Sequence, residues 1–511
     1  MKATLVALLT VVIFQGNFSV SNGARIIFLP AMGAKSHVLS MIPLALALQQ
    51  DGHNVTILQY YNEEQQKVSW DKLHFIYIQE TATDMNTIIK QLQAWTQPGM
   101  SMWAIIKAIL SSASSCQETI YNPKYASLYS TLMSGYWDLL LVDNVFHPCG
   151  VYLTSCAKNL SWIDYSTTLT FRRTRALRAV NLPISTEPNM NMINYNHKSF
   201  KFRLTNTAGE MLEYALGTVL QKLLPYWTEG KLKVRMNIKD FHRRAIYAFG
   251  SMSPMLDFAL PQAANTFTID YSCPKPAALS NDFQELVDDP SSKGTIIVSF
   301  GHYVKWKYAT TEILQSISNV FVNMTDYRIV WQYDGDKKRV ANKAHVKLAA
   351  WLPLPALLKH PKTVLFINHV GIKSLHEAVC FAVPVVAIPM FGDQYRNAAL
   401  IRQRRLGIFL EKTKMNEFSF RSAIEAILHQ PTYKKNMKTM SAMTKDKIID
   451  DLEKGKFWID FYLRHPKAAT HMKLKGVDFC NFTYFDIDLV VALSALFFLL
   501  VEVLQKRYAN Q

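Results

Sequence analysis

The chain has 511 residues, of which 49% are hydrophobic and 19% are charged, a balance that excludes a disordered or fibrous protein. Six cysteines are too few for a small scaffold built from disulfides, and the length predicts about two to four domains. The formal net charge of +17 favours an anionic partner, such as a nucleic acid, a lipid headgroup surface or a phosphorylated small molecule.

Residues 1–23 have the layout of a secretory signal peptide. Lys2 precedes an apolar stretch from Leu5 to Phe14, and small and polar residues follow as far as Gly23. Such a segment is removed from the mature protein. We therefore expect the segment that follows it to enter the lumen of the secretory pathway.

Strands and helices alternate after this segment. The pattern predicts strands at Arg25–Leu29, Asn54–Gln59 and Asp138–Val142, with a helix at Val38–Gln50. Strand–helix–strand units at this spacing are typical of parallel sheets. Residues 24–270 are therefore predicted to form one doubly wound α/β domain.

A second alternating series predicts another α/β domain over residues 271–465. Its helix is predicted at Thr311–Met324. Its predicted strands are Thr295–Phe300, Arg328–Gln332, His345–Ala349, Thr363–Ile367 and Val385–Pro389. Two such domains are expected to face each other across a cleft, where ligands bind.

The apolar stretch Ile487–Leu504 is predicted to be a transmembrane helix. Its 18 residues span roughly 27 Å as a helix, enough for a bilayer of the endoplasmic reticulum. Lys506 and Arg507 follow it, and the positive-inside rule makes residues 505–511 a cytosolic tail. Residues 466–486 are then a juxtamembrane segment, and both α/β domains are lumenal.

Four sequons agree with a lumenal chain, because their asparagines are acceptors of N-linked sugar on such surfaces. They are Asn54, Asn159, Asn323 and Asn481. The six cysteines show no metal-ligand spacing. Cys149 and Cys156 lie in an apolar stretch and either form a disulfide or pack as small apolar side chains.

The basic residues are scattered, which disfavours a nucleic-acid partner. The basic clusters are Arg172–Arg178, Lys337–Arg339, Arg402–Arg405 and Lys434–Lys438. Aromatic side chains are not interleaved with them as in nucleic-acid-binding surfaces. We expect most of them to form a solvated surface that faces anionic lipid, with no nucleic acid as partner.

A loop between a strand and a helix in the second domain is typical of a diphosphate site. The predicted strand Thr363–Ile367 leads into a loop with His369, Gly371 and Lys373, and a helix is predicted from Ser374. Unpaired N–H groups and the positive end of the helix dipole attract phosphate there. A GxGxxG or Walker sequence is not found in a suitable position, which disfavours dinucleotide oxidoreductases and P-loop enzymes.

A histidine and an aspartate are predicted to meet at the edge of the first sheet. His37 lies in the loop after the first strand, and Asp143 follows the strand Asp138–Val142. Both positions are at the carboxyl edge of a parallel sheet, where ligands bind. Histidine has the pKa of a general base, and a neighbouring carboxylate orients it and stabilises its charged form.

Several longer stretches carry a family resemblance. The segment FINHVGIKSLHEAVCFAVPVVAIPMFGDQYRNA, supported by SHVLSM, LLLVDNVFHPCG, VSFG, WLPLPALLKHPKT and FWIDFYLRHPKAATHM, resembles the UDP-glycosyltransferases, the superfamily of the animal UDP-glucuronosyltransferases. The resemblance covers nearly the whole chain. It implies a GT-B fold, with two Rossmann-like domains facing a cleft, and anchoring in the endoplasmic reticulum membrane.

The resemblance implies roles at the matching positions. Trp351 would stack on the uracil ring, His369 and its loop would contact the diphosphate, and Glu377 would accept hydrogen bonds from the ribose hydroxyls. Asp393 and Gln394 would hold hydroxyl groups of the donor sugar.

Three of these residues also have structural interpretations. Ser374 and Glu377 fit a capping box. Trp351 fits a core position, and Asp393 after Gly392 fits a turn.

Departures from the family pattern lie on the donor side. Val370 stands where the family has glycine, so its methyl groups would approach the diphosphate or its backbone would take a φ that β-branched residues disfavour. Leu354 replaces a glutamine, His302 replaces a small hydroxyl residue, and residues 270–271 replace a Gly-Gly pair.

The implied reaction is transfer of glucose or glucuronate from a UDP-sugar to a hydroxyl of a small lipophilic acceptor. His37, assisted by Asp143, would be the general base of a single inverting displacement that needs no metal and no cofactor beyond the UDP-sugar. Arg396, near Gln394, is either a partner for the glucuronate carboxylate or a surface residue. The alternatives are a relative that binds a lipophilic ligand or a partner without sugar transfer, and a different nucleotide-sugar enzyme or a nucleic-acid-related membrane protein. Homo-oligomerisation is left open.

Overall fold

The structure, a computed structural model, describes most of the chain. The described residues are 23–32, 35–61, 67–80, 94–97, 99, 102–145, 147–157, 159–170, 172–180, 187–189, 196–232, 236–269, 273–340, 343–479, 483 and 486–509. The predictions for the signal peptide up to residue 22, for residues 270–271 and for the sequon at Asn481 fall outside them.

The first domain is built on a parallel sheet of seven strands. They are β1 (Arg25–Leu29), β2 (Asn54–Tyr61), β3 (His74–Gln79), β4 (Leu139–Asp143), β5 (Trp162–Ser166), β6 (Ala248–Gly250) and β7 (Thr266–Thr268). Their order is β3-β2-β1-β4-β5-β6-β7, and all neighbours are parallel. The order reverses between β1 and β4, so a ligand is expected beyond the carboxyl ends of these two strands.

The second domain repeats this plan with six parallel strands. They are β8 (Gly294–Ser299), β9 (Tyr327–Gln332), β10 (Val346–Ala349), β11 (Thr363–Asn368), β12 (Val385–Ala387) and β13 (Gly407–Phe409). The order is β10-β9-β8-β11-β12-β13, with all neighbours parallel. Here the reversal lies between β8 and β11. The predicted fold class, two doubly wound α/β domains, is confirmed.

Helices cover both faces of each sheet. In the first domain they are α1 (Lys35–Gln50), α2 (Met102–Tyr121), α3 (Ala126–Met133), α4 (Pro148–Cys156), α5 (Arg172–Leu177), α6 (Phe200–Leu232) and α7 (Ile238–Arg244). The second domain has α8 (Asn281–Asp288), α9 (Thr311–Val322), α10 (Leu354–Lys359), α11 (Ile372–Cys380), α12 (Gln394–Gln403), α13 (Glu417–His429) and α14 (Pro431–Lys445). The helices α15 (Asp451–Arg464), α16 (Ala468–Met472) and α17 (Ile487–Ala509) follow.

The strands are apolar on both faces because both faces are covered. Ile26 and Phe28 of β1 pack into one apolar cluster, whereas Ile27 and Leu29 pack into another on the opposite face. Parallel strands buried on both sides appear in a sequence as continuous apolar runs, which explains why these strands were predictable.

Helix α15 leaves the second domain and packs on the first. Ile459 is fully buried in an apolar cluster of the first sheet. Trp458 stacks on Phe267 with ring centroids 4.3 Å apart, and Asp460 pairs with His53 at 2.9 Å. The sequence analysis grouped this helix with the second domain, and its contacts tie the two domains together.

Two disulfides link distant parts of the chain. Cys116 of α2 is bonded to Cys149 of α4, and Cys273 is bonded to Cys380 at the end of α11. Both sequence interpretations of Cys149 are therefore wrong, because its partner is neither Cys156 nor a purely apolar neighbour. Cys156 is free.

Helix α17 contains the predicted transmembrane stretch. The segment Ile487–Arg507 is long and apolar enough to cross a membrane, and no part of it is buried against the described protein. This exposure distinguishes it from a core helix of similar composition. The structure is therefore consistent with the predicted single C-terminal membrane helix.

We expect the packing of α15 on the first domain to stabilise the protein. Trp458→Ala removes the stacking on Phe267 and is expected to lower the free energy of unfolding by about 3 kcal/mol, which thermal unfolding measures. Phe457→Ala is the control, because Phe457 on the same helix is 49% exposed. Equal melting temperatures for the two variants would contradict the packing role of Trp458.

Candidate active site

His37 and Asp143 meet where the order of the first sheet reverses. Asp143 is the last residue of β4, and His37 lies in the first turn of α1 rather than in a loop as predicted. The Nδ1 atom of His37 is 2.7 Å from Oδ2 of Asp143. The aspartate is fully buried, whereas the histidine side chain is 12% exposed, so the histidine is the member that can reach a ligand.

The hydrogen bonds at this pair determine which ring nitrogen can act as a base. Nδ1–H of His37 donates to the carboxylate of Asp143, and the backbone N–H of Val145 donates to the other carboxylate oxygen at 3.0 Å. With Nδ1 carrying the proton, Nε2 carries the lone pair. The arrangement can therefore take a proton at Nε2 and stabilise the resulting imidazolium.

Thr167 contacts both residues of this pair, and the sequence analysis missed it. Its hydroxyl donates to Oδ2 of Asp143 at 2.5 Å and lies 2.6 Å from Nδ1 of His37. Thr167 directly follows β5, the neighbour of β4 in the sheet. A hydroxyl residue at the carboxyl end of a strand could have pointed to Thr167, but the sequence analysis did not predict β5 as a strand.

The predicted diphosphate loop follows β11, beside the reversal of the second sheet. His369 packs closely against two glycines. A Cβ at Gly371 would lie 2.8 Å from Nε2 of His369, and a Cβ at Gly301 would lie 3.1 Å from Cε1. Burial lowers the pKa of His369 to about 4, against a hydrogen bond with the backbone of Ser299 that raises it, so the imidazole is neutral at pH 7.

Val370 has the backbone conformation that the sequence analysis considered unfavourable. Its φ is +53°, in the left-handed region that β-branched residues disfavour. Its side chain is fully buried in the apolar core of the second domain, so the prediction that its methyl groups approach a ligand is wrong. The backbone N–H of Val370 donates to the side-chain oxygen of Asn368 at 2.6 Å, and the side chain of Asn397 donates to the backbone carbonyl of Val370 at 2.9 Å.

The start of α11 excludes the capping-box interpretation of Glu377. The helix begins at Ile372, with Gly371 as its N-cap and no side-chain capping bond, whereas the sequence predicted a start at Ser374. Ser374 is buried inside the first turn. Burial raises the pKa of Glu377 to about 7, against the opposing charge of Lys373 one turn earlier.

Asp393 and Gln394 lie at the N-terminus of α12. The side-chain oxygen of Gln394 accepts from the backbone N–H groups of Met390 at 2.7 Å and Phe391 at 3.0 Å. Its NH2 group is therefore the part that can meet a ligand. Asp393 lies in the turn after Gly392, as its structural interpretation predicted, and its carboxylate accepts from Asn397 at 3.0 Å.

Burial raises the pKa of Asp393, and the charge of His37 is among the influences that lower it. His37 belongs to the first domain and Asp393 to the second. The catalytic candidate therefore acts electrostatically on the sugar-binding candidate across the cleft.

Trp351 is not a core residue, which rules out its structural interpretation. It is 59% exposed, and its ring faces Nζ of Lys35 from the first domain at 5.5 Å. His302 lies in the loop after β8, where burial and the charges of Lys305 and Lys35 lower its pKa. Leu354 begins α10 and packs partly buried on the core of the second domain.

Arg396 is buried rather than on the surface. Its guanidinium pairs with Glu187 at 3.0 Å and Asp257 at 2.6 Å, and its side chain is 1% exposed. Both carboxylates come from before residue 270, so the ion pairs join the two domains. Arg396 is therefore already engaged with two carboxylates, which argues against it as a partner for a glucuronate carboxylate.

Two parallel α/β domains that face a cleft, each with its strand order reversing at the edge where ligands bind, have the GT-B arrangement of glycosyltransferases. The glycotransferase of kitacinnamycin superposes on the chain with a TM-score of 0.61 at 14% identity, covering 86% of this chain and 99% of that one. This likeness confirms the fold.

The family follows from sequence comparison. The chain matches the family described as "UDP-glucoronosyl and UDP-glucosyl transferase" over residues 25–510 and belongs to it. UDP-glucuronosyltransferase 2A3 of Mus musculus is 26% identical over 478 residues, 89% of this chain and 86% of the relative. The 2-hydroxyacylsphingosine 1-beta-galactosyltransferase of Rattus norvegicus is 25% identical over 484 residues, 93% of this chain and 87% of the relative. The protein is a UDP-glycosyltransferase of the UDP-glucuronosyltransferase type.

The contacts of Thr167 predict a positioning role. Thr167→Val removes the hydroxyl that bonds to Asp143 and His37, and we expect the rate of sugar transfer to fall about tenfold, the size of one hydrogen bond to a charged group. The pH profile of kcat should also shift, because Asp143 loses a donor. Thr167→Ser is the matched control and should retain the wild-type profile; an unchanged profile in Thr167→Val would contradict the role.

The raised pKa of Glu377 predicts that replacing this residue with uncharged glutamine stabilises the protein, and that the gain in stability depends on pH. The pKa is about 7 in the folded chain against a usual 4.5, so ionisation favours the unfolded chain and the penalty grows as the pH rises from about 4.5 to 7. The melting temperature of Glu377→Gln relative to wild type should therefore be higher at pH 8 than at pH 4.5. A difference that does not change with pH would contradict this assignment.

Proposed function

We propose that the chain transfers glucose or glucuronate from a UDP-sugar to a hydroxyl of a small lipophilic acceptor, with inversion at the anomeric carbon. The observation that carries the proposal is the pair of His37 and Asp143, hydrogen-bonded at 2.7 Å at the cleft. The influence of His37 on the pKa of Asp393 supports a base close to the donor sugar.

His37 is the general base in this proposal. Nε2 takes the proton of the acceptor hydroxyl while the oxygen attacks the anomeric carbon from the face opposite to UDP. The bond from that carbon to the phosphate oxygen breaks, UDP leaves with the electron pair, and a β-glycoside forms. Asp143 holds the ring and stabilises the imidazolium, since its carboxylate is buried beside Nδ1.

The donor is proposed to bind along the second domain. Trp351, as an exposed aromatic ring, suits stacking on uracil. Glu377 accepts from the ribose hydroxyls. Asp393 and the NH2 group of Gln394 contact the sugar hydroxyls.

The loop before α11 is proposed to bind the diphosphate. His369 donates a hydrogen bond as a neutral imidazole. Gly371, Lys373 and Ser374 supply the helix N-terminus and a positive charge. We propose that no metal and no cofactor other than the UDP-sugar takes part.

Family membership does not decide between glucose and glucuronate as the donor sugar, and a transfer assay is needed to distinguish them. The names of the relatives include a glucuronosyltransferase and a galactosyltransferase, so the family accommodates acidic and neutral sugars. Arg396 is occupied by Glu187 and Asp257 and does not argue for glucuronate.

We propose a location in the endoplasmic reticulum membrane, with both domains in the lumen and residues 505–511 in the cytosol. Two disulfides suit an oxidising compartment. The sequon asparagines Asn54, Asn159 and Asn323 are exposed, as glycosylation requires. Oligomerisation stays a prediction.

The second candidate is a relative that binds a lipophilic molecule or a partner without sugar transfer. The strained backbone of Val370 in the diphosphate loop, together with His302 and Leu354, favours it. The hydrogen-bonded pair of His37 and Asp143 argues against it, because a chain that transfers no sugar has no need of an oriented base.

Transfer assays on the full chain in detergent distinguish these functions. The purified chain is incubated with UDP-glucose or UDP-glucuronate and a panel of phenolic and aliphatic alcohols, first without and then with EDTA. We expect β-glycoside formation, and a fall in kcat of about 100-fold to 10,000-fold in His37→Ala. UDP binding by calorimetry should stay unchanged in that variant, because His37 contacts the acceptor.

Other outcomes would each reject a part of the proposal. Failure of the wild-type chain to bind UDP would reject the donor site. UDP binding without transfer across the panel would favour the second candidate, and loss of transfer on adding EDTA would reject the metal-free mechanism.

A further inference from the structure

Lys35 is a cation that the first domain extends toward the donor side of the cleft. It is the first residue of α1, two positions before His37. Its Nζ atom lies 5.5 Å from the centre of the Trp351 ring, which belongs to the second domain and is 59% exposed. The contact therefore crosses the cleft, and the sequence analysis assigned no role to Lys35.

The charge of Lys35 also acts on the loop after β8. The pKa of His302 in this loop is lowered first by burial and then by the charges of Lys305 and Lys35. Lys35 therefore lies close to two separate segments of the second domain, both at the carboxyl edge of its sheet. That edge is where a parallel sheet binds its ligand.

The other groups on the donor side supply little net positive charge. Burial lowers the pKa of both His369 and His302, so both imidazoles are neutral at pH 7. Lys373 supplies one positive charge, which Glu377 beside it offsets only in part, because burial raises the pKa of that carboxyl to about 7. A diphosphate bound in a partly dehydrated cleft requires a cation to compensate its charge.

We propose that Lys35 binds the diphosphate of the UDP-sugar, as a phosphate ligand contributed by the acceptor domain. This inference rests on the proposed function. In the structure the ammonium group lies over the Trp351 ring. When uracil stacks on that ring, the ammonium moves to the phosphate oxygens, since a charge-assisted hydrogen bond to phosphate is stronger than an exposed cation–π contact.

The proposal links donor binding to the position of the base. Lys35 and His37 share the first turn of α1, so a phosphate contact at Lys35 draws this turn toward the second domain. The base then approaches the donor sugar only when the diphosphate is bound. Lys35 is therefore a donor-binding residue that also positions His37.

Calorimetry with two probes tests the assignment on the full chain in detergent. Uridine stacks on Trp351 but has no phosphate, whereas UDP has both parts. Lys35→Met keeps the apolar stem and removes the charge. We expect the Kd for UDP to rise about tenfold and the Kd for uridine to stay within about twofold, while Lys35→Arg retains most of the affinity for UDP.

Lys124→Met is the matched control. Nζ of Lys124 lies 5.4 Å from the ring of Tyr125 within the first domain, so this variant loses the same kind of contact without facing the second domain. Both Kd values should be unchanged in it. Loss of uridine and UDP affinity to the same extent in Lys35→Met, or no loss of UDP affinity, would overturn the proposal while leaving the proposed function intact. Failure of the wild-type chain to bind UDP would reject both.

Discussion

A parallel strand pair cannot be closed by a tight turn, and this constraint organises the whole molecule. Each connection must cross a face of the sheet, so helices cover both faces and every strand ends at the same edge. His37 and Asp143 are 106 residues apart in the sequence and meet because β1 and β4 are neighbours. In the second domain the loops after β8 and β11 meet in the same way, since those strands are also neighbours.

Enclosure in the cleft sets the protonation states of the donor side. Burial lowers the pKa of His369 and His302 and raises the pKa of Glu377 and Asp393. Both effects reduce charge, because an ionised group loses hydration when it is buried. Both histidines are therefore uncharged at pH 7.

Asn397 connects the strained loop to the sugar-binding candidate. Its side-chain NH2 donates to the carbonyl of Val370 at 2.9 Å and to Asp393 at 3.0 Å. A left-handed backbone at a β-branched residue costs about 1–3 kcal/mol, and the hydrogen bonds at Val370 together with the burial of its side chain offset this cost.

The sequence by itself determined the fold class, the apolar terminal helix and eight of the strands to within two residues, because strands buried on both faces are continuous apolar runs. The missed strands lack such a run: β3 and β5 contain polar residues, and β6, β7 and β13 have only three residues each. Tertiary structure alone decided the pairing of Cys116 with Cys149 and the packing of α15 on the first domain. It also decided the contacts of Thr167 and Lys35, since these depend on which strands are neighbours and on how the two domains face each other. Sequence motifs identify residue types at a site, whereas distances and pKa shifts arise from packing between distant segments.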